Sequence, residues 1–418
     1  MVVVGILLAG RGDLHQGFPY THDGEKHLAR FFKYKIALKE GQLPPRFAPN
    51  LQNRYGYPVF NYNYPLANIV SLPFSFVHFN YETTFKFIVV ISLALLAISM
   101  QEWVRLLGVG RLGQLSAVAF IASSPVILNM TFFRGNIGEI MAVALTATLL
   151  WLVERATQHK TWHTAWIIVC WSALLLAHNI TAVYASALII GYGIVRAAQT
   201  PYLRPAIRQL FLCFAISIAS TLWFWLPALA EKQLIVLDQA GSINEYARHF
   251  ATLSQVFLSP TQFGFSYPGS VDTLSMSVGL VTWMALLIAA AVITDIGVAQ
   301  LIARVNHRHK PQLGIIPTWF GWTCIACIGF IYLQTAASQW IWEIVPTLKY
   351  AQFPWRFGMF VVLLAAPVVG WLIEQRHWPK LIQVLLFIGL AIQIRSAVTL
   401  RAVDYFHKTP VDYDAFSQ

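Results

Sequence analysis

Ten apolar stretches dictate what this chain can fold into; they lie near residues 84–106, 113–132, 138–154, 163–178, 180–196, 208–230, 275–302, 313–333, 356–374 and 380–397. Each approaches the roughly 20 residues that a helix rising ~1.5 Å per residue needs to cross a ~30 Å hydrocarbon core. In lipid every backbone N–H and C=O must bond inside its own segment, so such stretches become helices. Hydrophobic residues make up 57% of the 418 and charged residues only 11%, where a soluble domain carries about a quarter charged. The expected fold is therefore an all-α polytopic membrane protein, a bundle of about ten or eleven transmembrane helices.

The net charge of +11 brings no nucleic-acid reading with it, since no polar domain, zinc spacing or basic recognition helix is present to use it. It is read as membrane topology. Arg105, Arg111, Arg155, Lys160, Arg196, Arg204, Arg208, Arg304, Arg308, Lys310, Arg376 and Lys380 fall in one alternate set of loops, which the positive-inside rule makes cytoplasmic. The other set is poor in Lys and Arg and is expected to face outside the cell membrane. This parity holds only if Pro65 to Phe79, with Pro73 near its middle, lies in the interface or dips in and returns.

The domain reading follows. Residues 1–10 are apolar but half a span long and are expected to form part of a first helix in a chain that starts late or is truncated. Residues 11–83 are the first external loop, 84–397 the bundle with a second external loop at about 231–274, and 398–418 an external tail, itself read as open to truncation. In the first loop, residues 23–40 set Leu28, Phe31, Phe32, Ile36 and Leu38 among Lys26, Arg30, Lys33, Lys35 and Lys39. That pattern predicts an amphipathic helix resting on the bilayer with its basic side towards lipid phosphates, closed by Gly41 and Pro44-Pro45. Tyr55, Tyr57, Tyr62 and Tyr64 read as an interfacial belt more readily than as a sugar platform.

Chemistry is most concentrated in Tyr20-Thr-His-Asp-Gly-Glu-Lys-His27, a cluster of ionisable groups that lipid tolerates poorly. Cys170, Cys213, Cys324 and Cys327 all lie within apolar helices, so Cys324-x-x-Cys327 is read as structural. Asn129-Met-Thr131 and Asn179-Ile-Thr181 match glycosylation acceptors but stand too near the membrane to serve as such.

The series His22-Asp23-Gly24, Gly41-Gln42-Leu43-Pro44-Pro45-Arg46, Tyr55-Gly56-Tyr57-Pro58-Val59-Phe60 and Tyr64-Pro65-Leu66 resembles the first external loop of a group of bacterial and archaeal membrane proteins. These are named for a 6-pyruvoyl-tetrahydropterin synthase-related domain and are grouped with the C-type glycosyltransferase fold. Phe133-Arg134-Gly135-Asn136-Ile137-Gly138-Glu139, Ala177-His178-Asn179-Ile180-Thr181-Ala182 and Gln352-Phe353-Pro354-Trp355-Arg356-Phe357 agree in order. The resemblance implies a membrane glycosyltransferase that moves a sugar from a polyprenyl-phosphate donor to a glycan, lipid or protein acceptor at the external face. It implies that Asp23, in the first external loop, and Glu139, in a later one, are the catalytic acidic positions. No Asp-x-Asp stands in the first loop. No cofactor is named, although a divalent cation is left open, with Asp23 and Glu139 as the residues that would hold it.

Such a transfer needs a base for the acceptor hydroxyl and positive charge for the departing phosphate. Asp23 is the candidate base, and Arg134 and Arg356 are candidate phosphate clamps, because a guanidinium can meet phosphate oxygens through two donors. His22, Glu25, His27, His178, Asn179, Gln352 and Trp355 complete the candidate binding set. Each has a plainer reading. Asp23 can be the N-cap of the loop helix, Arg134 and Glu139 an interfacial ion pair, His178-Asn179 a tight turn, and Arg356 a side chain snorkelling to headgroups. The 231–274 loop is read as an acceptor-side lid. A transporter or flippase for lipid-linked or small substrates is the alternative function, and a non-catalytic descendant of such enzymes a third.

Overall fold

The computed structural model describes residues 17–52, 55–159, 163–235, 245–268, 272–305, 316–375, 380–400, 404–409 and 412–413. Residues 1–10, Asp238, the 306–310 basic loop and Arg376 lie outside them. Each of the ten apolar stretches contains a helix among the described residues. Among the described residues six helices are long and apolar enough to cross a membrane, or eight spans if each of two helix pairs bent at a short break counts as one. Two others, Thr164–Ala177 and Leu280–Ile296, are apolar but shorter. The protein is an integral membrane protein.

Helix α1 (Gly24–Lys39) follows the first described strand, Phe18–Pro19. It ends at Gly41, whose φ of +90° is a left-handed conformation open to glycine, and whose N–H bonds the Leu38 carbonyl at 3.1 Å. Its apolar side packs inward, and Lys26 and Lys39 stay exposed. Leu28, Phe31, Tyr34 and Ala37 are buried against α2 (Leu66–Phe76) and α3 (Tyr81–Leu106), and Lys33, expected at lipid phosphates, is buried as well. The 11-residue α2, with Pro73 inside, measures about 16 Å, half the hydrocarbon thickness.

Helix α3 is capped by Asn80, whose side chain accepts the Thr83 N–H at 2.7 Å, and packs mainly against α5 (Ile137–His159). Helix α4 (Arg111–Ser123) runs tightly along α11 (Gly358–Glu374). A Cβ on Gly113 would lie 2.4 Å from the Gly370 carbonyl oxygen, so glycines set the spacing of these two helices. Beyond them lie α6 (Thr164–Ala177), α7 (Asn179–Ala197), α8 (Leu203–Ala230), α9 (Leu280–Val305), α10 (Thr318–Leu333) and α12 (Lys380–Thr399). Helices α5 and α11 are buried almost all round, as helices apolar on every side should be, whereas α8 and α12 are peripheral.

Two features position the site. After α4 the span breaks by 41° at Ser124-Pro125 and continues as a short α-turn and a π-turn, Asn129–Arg134, which ends on Gly135 at φ +58°. A Cβ on Gly135 would sit 2.4 Å from Thr21 Oγ1, so this glycine serves both the turn and the close approach of the first loop. At the opposite end of α5, Glu154 takes Arg196 at 2.7 and 2.5 Å, Gln158 at 2.6 Å and the Tyr192 hydroxyl, which accepts the Trp103 indole N–H at 2.9 Å. Arg196 is thus a half-buried pin as well as a topology signal. The tail returns to the first loop: Tyr405–Phe406 pairs antiparallel with Phe18–Pro19.

Candidate functional site

The ends of α5, α6, α7 and α11 meet where the first loop crosses them. The base of the site is the fully buried Glu139 carboxylate. Asn136 begins α5 by accepting the Glu139 N–H on its side-chain oxygen at 3.1 Å, and the same oxygen takes the Tyr64 hydroxyl at 3.1 Å. Gly138 lets Tyr64 and the Ala177 carbonyl approach closely; a Cβ there would meet them at 2.3 and 2.6 Å.

Arg134 grips Glu139 through both terminal nitrogens, Nη1 to Oε2 and Nη2 to Oε1 at 2.8 Å. Arg356 Nε stands 3.3 Å from the same Oε1 and His178 Nε2 3.8 Å. His178 Nδ1 accepts the Thr181 N–H at 3.2 Å, capping α7, so the ring proton sits on Nε2 and faces Glu139. Arg356 Nη1 donates to the Ala351 carbonyl at 2.9 Å and to Gln352 Oε1 at 3.2 Å, with Gln352 held at φ +66°. Its Nη2 has no partner among the described residues. The guanidinium of Arg134 lies 4.8 Å over the Trp355 ring. Two permanent cations therefore share one carboxylate, and the buried cluster carries a surplus of positive charge.

Asp23 is delivered to this cluster by backbone bonds. Its N–H donates to the Arg134 carbonyl at 2.9 Å and that of His22 to Phe133 at 3.0 Å. The Asp23 side chain makes no cap hydrogen bond; the Gly24 N–H goes to Thr21 Oγ1 instead, at 3.0 Å. Asp23 thus stands at the N-cap position of α1, but its side chain does not cap the helix. The carboxylate is 31% exposed and pairs with Lys26 at 3.2 Å. Burial works against its ionisation, but His27, Lys26 and Arg134 outweigh that and hold it below the ordinary carboxylate value.

A second layer lies over these groups. His22 stacks on Phe265 at 4.7 Å and meets the edge of Phe263 at 5.0 Å. Ser266 Oγ pairs with His249 Nδ1 at 3.0 Å and accepts the Trp355 indole N–H at 3.1 Å. The 263–266 part of the second loop thus covers His22 and Trp355.

Several expected residues stand elsewhere. Glu25 bonds Lys408 of the tail at 2.8 Å. Asn179 donates to the Tyr62 carbonyl at 2.9 Å, away from Glu139. His27 is buried beside Tyr64 and Phe85, and burial, with Arg30 nearby, pushes its imidazole down to about 3 from 6.5. It is neutral when folded and protonates readily when unfolded, so its contribution is full above about pH 6.5 and is lost as pH falls towards 3. Thermal unfolding of the detergent-solubilised protein is expected to lose midpoint over this window, and His27→Gln to flatten the loss; parallel curves would refute the assignment.

Tyr64 moves the other way, from the expected belt into the site, whereas Tyr55 is 89% exposed. The Asn129 acceptor motif is buried, its Nδ2 donating to the Ser275 carbonyl at 2.7 Å. Asp23 and Glu139 do not fit a divalent cation as arranged: Glu139 spends both oxygens on Arg134 with Arg356 alongside, and Asp23 pairs with Lys26. The chemistry of the cluster suits an anion.

The sequence profile of the 6-pyruvoyl-tetrahydropterin synthase related domain, described as a membrane protein, matches residues 60–406. The chain belongs to this family. The protein is similar in fold to arabinofuranosyltransferase AftD from Mycobacteria, with a TM-score of 0.55 and 14% identity over 96% of this chain and 26% of AftD. That match gives this member of the 6-pyruvoyl-tetrahydropterin synthase related family the C-type glycosyltransferase fold. It is also 21% identical over 250 residues to an uncharacterized protein of Lactococcus lactis subsp. cremoris (strain MG1363), covering 57% of this chain and 39% of that one. The chain thus spans about a quarter of AftD and two fifths of the Lactococcus protein.

Proposed function

We propose that this protein is a membrane glycosyltransferase that transfers a sugar from a polyprenyl-phosphate-linked donor to a glycan, lipid or protein acceptor at the external face of the cell membrane. The observation that carries the reading is the gathering of Arg134 and Arg356 on one buried carboxylate beside the accessible Asp23. The AftD-like fold supports it.

In the proposed step Asp23 takes the proton of the acceptor hydroxyl. The acceptor oxygen bonds the anomeric carbon, the bond from that carbon to the phosphate oxygen breaks, and the phosphate leaves with the electron pair. Arg356, whose Nη2 is the free donor of the cluster, meets the growing phosphate charge. Glu139 touches no reactant; it positions both arginines. His22 and Trp355 flank the cluster beneath the 263–266 segment.

Binding tests the phosphate role. Arg356→Gln in nanodiscs should weaken polyprenyl phosphate by roughly 10–100-fold, the worth of a charge-assisted hydrogen bond, and leave neutral polyprenol unchanged. Equal affinity of the variant and the wild type for polyprenyl phosphate would sink the clamp.

A further inference from the structure

Beside the arginines lies a small, partly open cavity of about 20 Å³, lined by Asn129, Arg134, Ser275, Trp355 and Arg356 together with Met130 and Met359. Two buried polar atoms of its lining, Asn129 Oδ1 and Ser275 Oγ, have no hydrogen-bond partner among the described residues, and a third, Arg356 Nε, has only its 3.3 Å ion pair with Glu139 Oε1. Asn129 and Ser275 are 4% and 6% exposed, and a bare buried acceptor or hydroxyl is costly, so such groups normally find partners. Asn129 holds its orientation by donating Nδ2 to the Ser275 carbonyl at 2.7 Å, which leaves Oδ1 as the free end. The two residues come from the π-turn and from the segment leading into α9, and this one bond joins them.

Size and polarity select the ligand group. A space of about 20 Å³ holds one oxygen atom, the room of a single water, and is too small for a phosphate. Asn129 Oδ1 can only accept, so the group must donate a proton, which an ionised phosphate oxygen cannot do. Arg356 Nε can only donate, so the group must also accept. A hydroxyl does both.

We propose that Asn129, Ser275 and Arg356 form a subsite for one hydroxyl of the donor sugar and so help set which sugar is used. The inference rests on the transferase reading above and adds the residues that recognise the sugar. Arg356 then serves two neighbouring groups, phosphate through Nη2 and hydroxyl through Nε.

The test compares full-length wild type and Ser275→Ala in nanodiscs, titrated with polyprenyl phosphate and with polyprenyl-phosphate arabinofuranose, mannose and glucose. Ser275 Oγ makes no bond within the described protein, so its removal leaves the packing intact; Asn129→Ala is the second variant. The expected result is a loss of about tenfold or more for the sugar-bearing lipid that wild type binds, with affinity for bare polyprenyl phosphate held within about twofold. One monodeoxy analogue of that sugar should bind wild type as weakly as the parent binds Ser275→Ala, with no further loss in the variant. Unchanged affinity for the sugar-bearing lipid, or equal loss for both lipids, overturns the subsite and leaves the transferase reading standing. Failure of the wild type to bind any of these lipids overturns the transferase reading, and the subsite falls with it.

Discussion

Asp23→Asn is expected to lower sugar transfer by roughly 10²–10⁴-fold, the range that a positioned general base contributes, while the protein stays folded and keeps its donor affinity. The separation follows from geometry. The backbone of Asp23, through its bond to the Arg134 carbonyl, holds the loop in place, and asparagine retains it. The side chain caps nothing, and its partner Lys26 is largely exposed, an ion pair worth at most about 1 kcal/mol. What asparagine lacks is the ability to take a proton. A thermal midpoint unchanged beside lost turnover, with donor Kd intact, is the expected signature. A fall in donor affinity equal to the fall in rate would instead make Asp23 a binding residue.

Glu139→Ala should have the largest effect on stability, about 3–5 kcal/mol, because it leaves two buried guanidiniums without their counter-ion. Removing one partner of such a pair is costly where removing both is tolerated. The double variant Glu139→Ala/Arg134→Met should therefore unfold later than Glu139→Ala alone, a non-additivity that a cycle of thermal midpoints can read. Simple addition of the two losses would show that Arg134 and Glu139 are not coupled. The same experiment separates the buried cluster from the surface ion pair that the sequence also allowed.

The ten helices were legible because length and apolarity alone specify them in lipid. The break at Ser124-Pro125 was passed over, although Ser123-Ser124-Pro125 in the middle of 113–132 is the local signal to which the 41° bend answers. Short motifs brought Asp23, Arg134, Glu139, His178 and Arg356 to notice, and the fold gathers all five. Sequence neighbours misled where helix geometry intervenes. Glu25 lies two residues beyond Asp23, and residues two apart on a helix do not share a face, so it meets Lys408 instead. Asn179 turns from Glu139 to Tyr62 for a similar reason, being the first residue of α7 where His178 is its cap. Tyr64, Asn129 and Ser275 reach the site through contacts distant in sequence. A tyrosine among interfacial aromatics and an asparagine in an acceptor motif carry no local sign of that. The pairing of Tyr405–Phe406 with Phe18–Pro19 is equally silent, since two-residue strands have no periodicity to read.

Transfer of radiolabelled sugar by the full-length wild-type protein in nanodiscs, from a panel of polyprenyl-phosphate sugars, is the most direct test of the account. It predicts labelled product from at least one lipid-phosphate donor and none from the matching free sugars. No transfer from any donor, while vesicles containing the protein still move a lipid-linked substrate across the bilayer, would contradict it and make the protein a transporter.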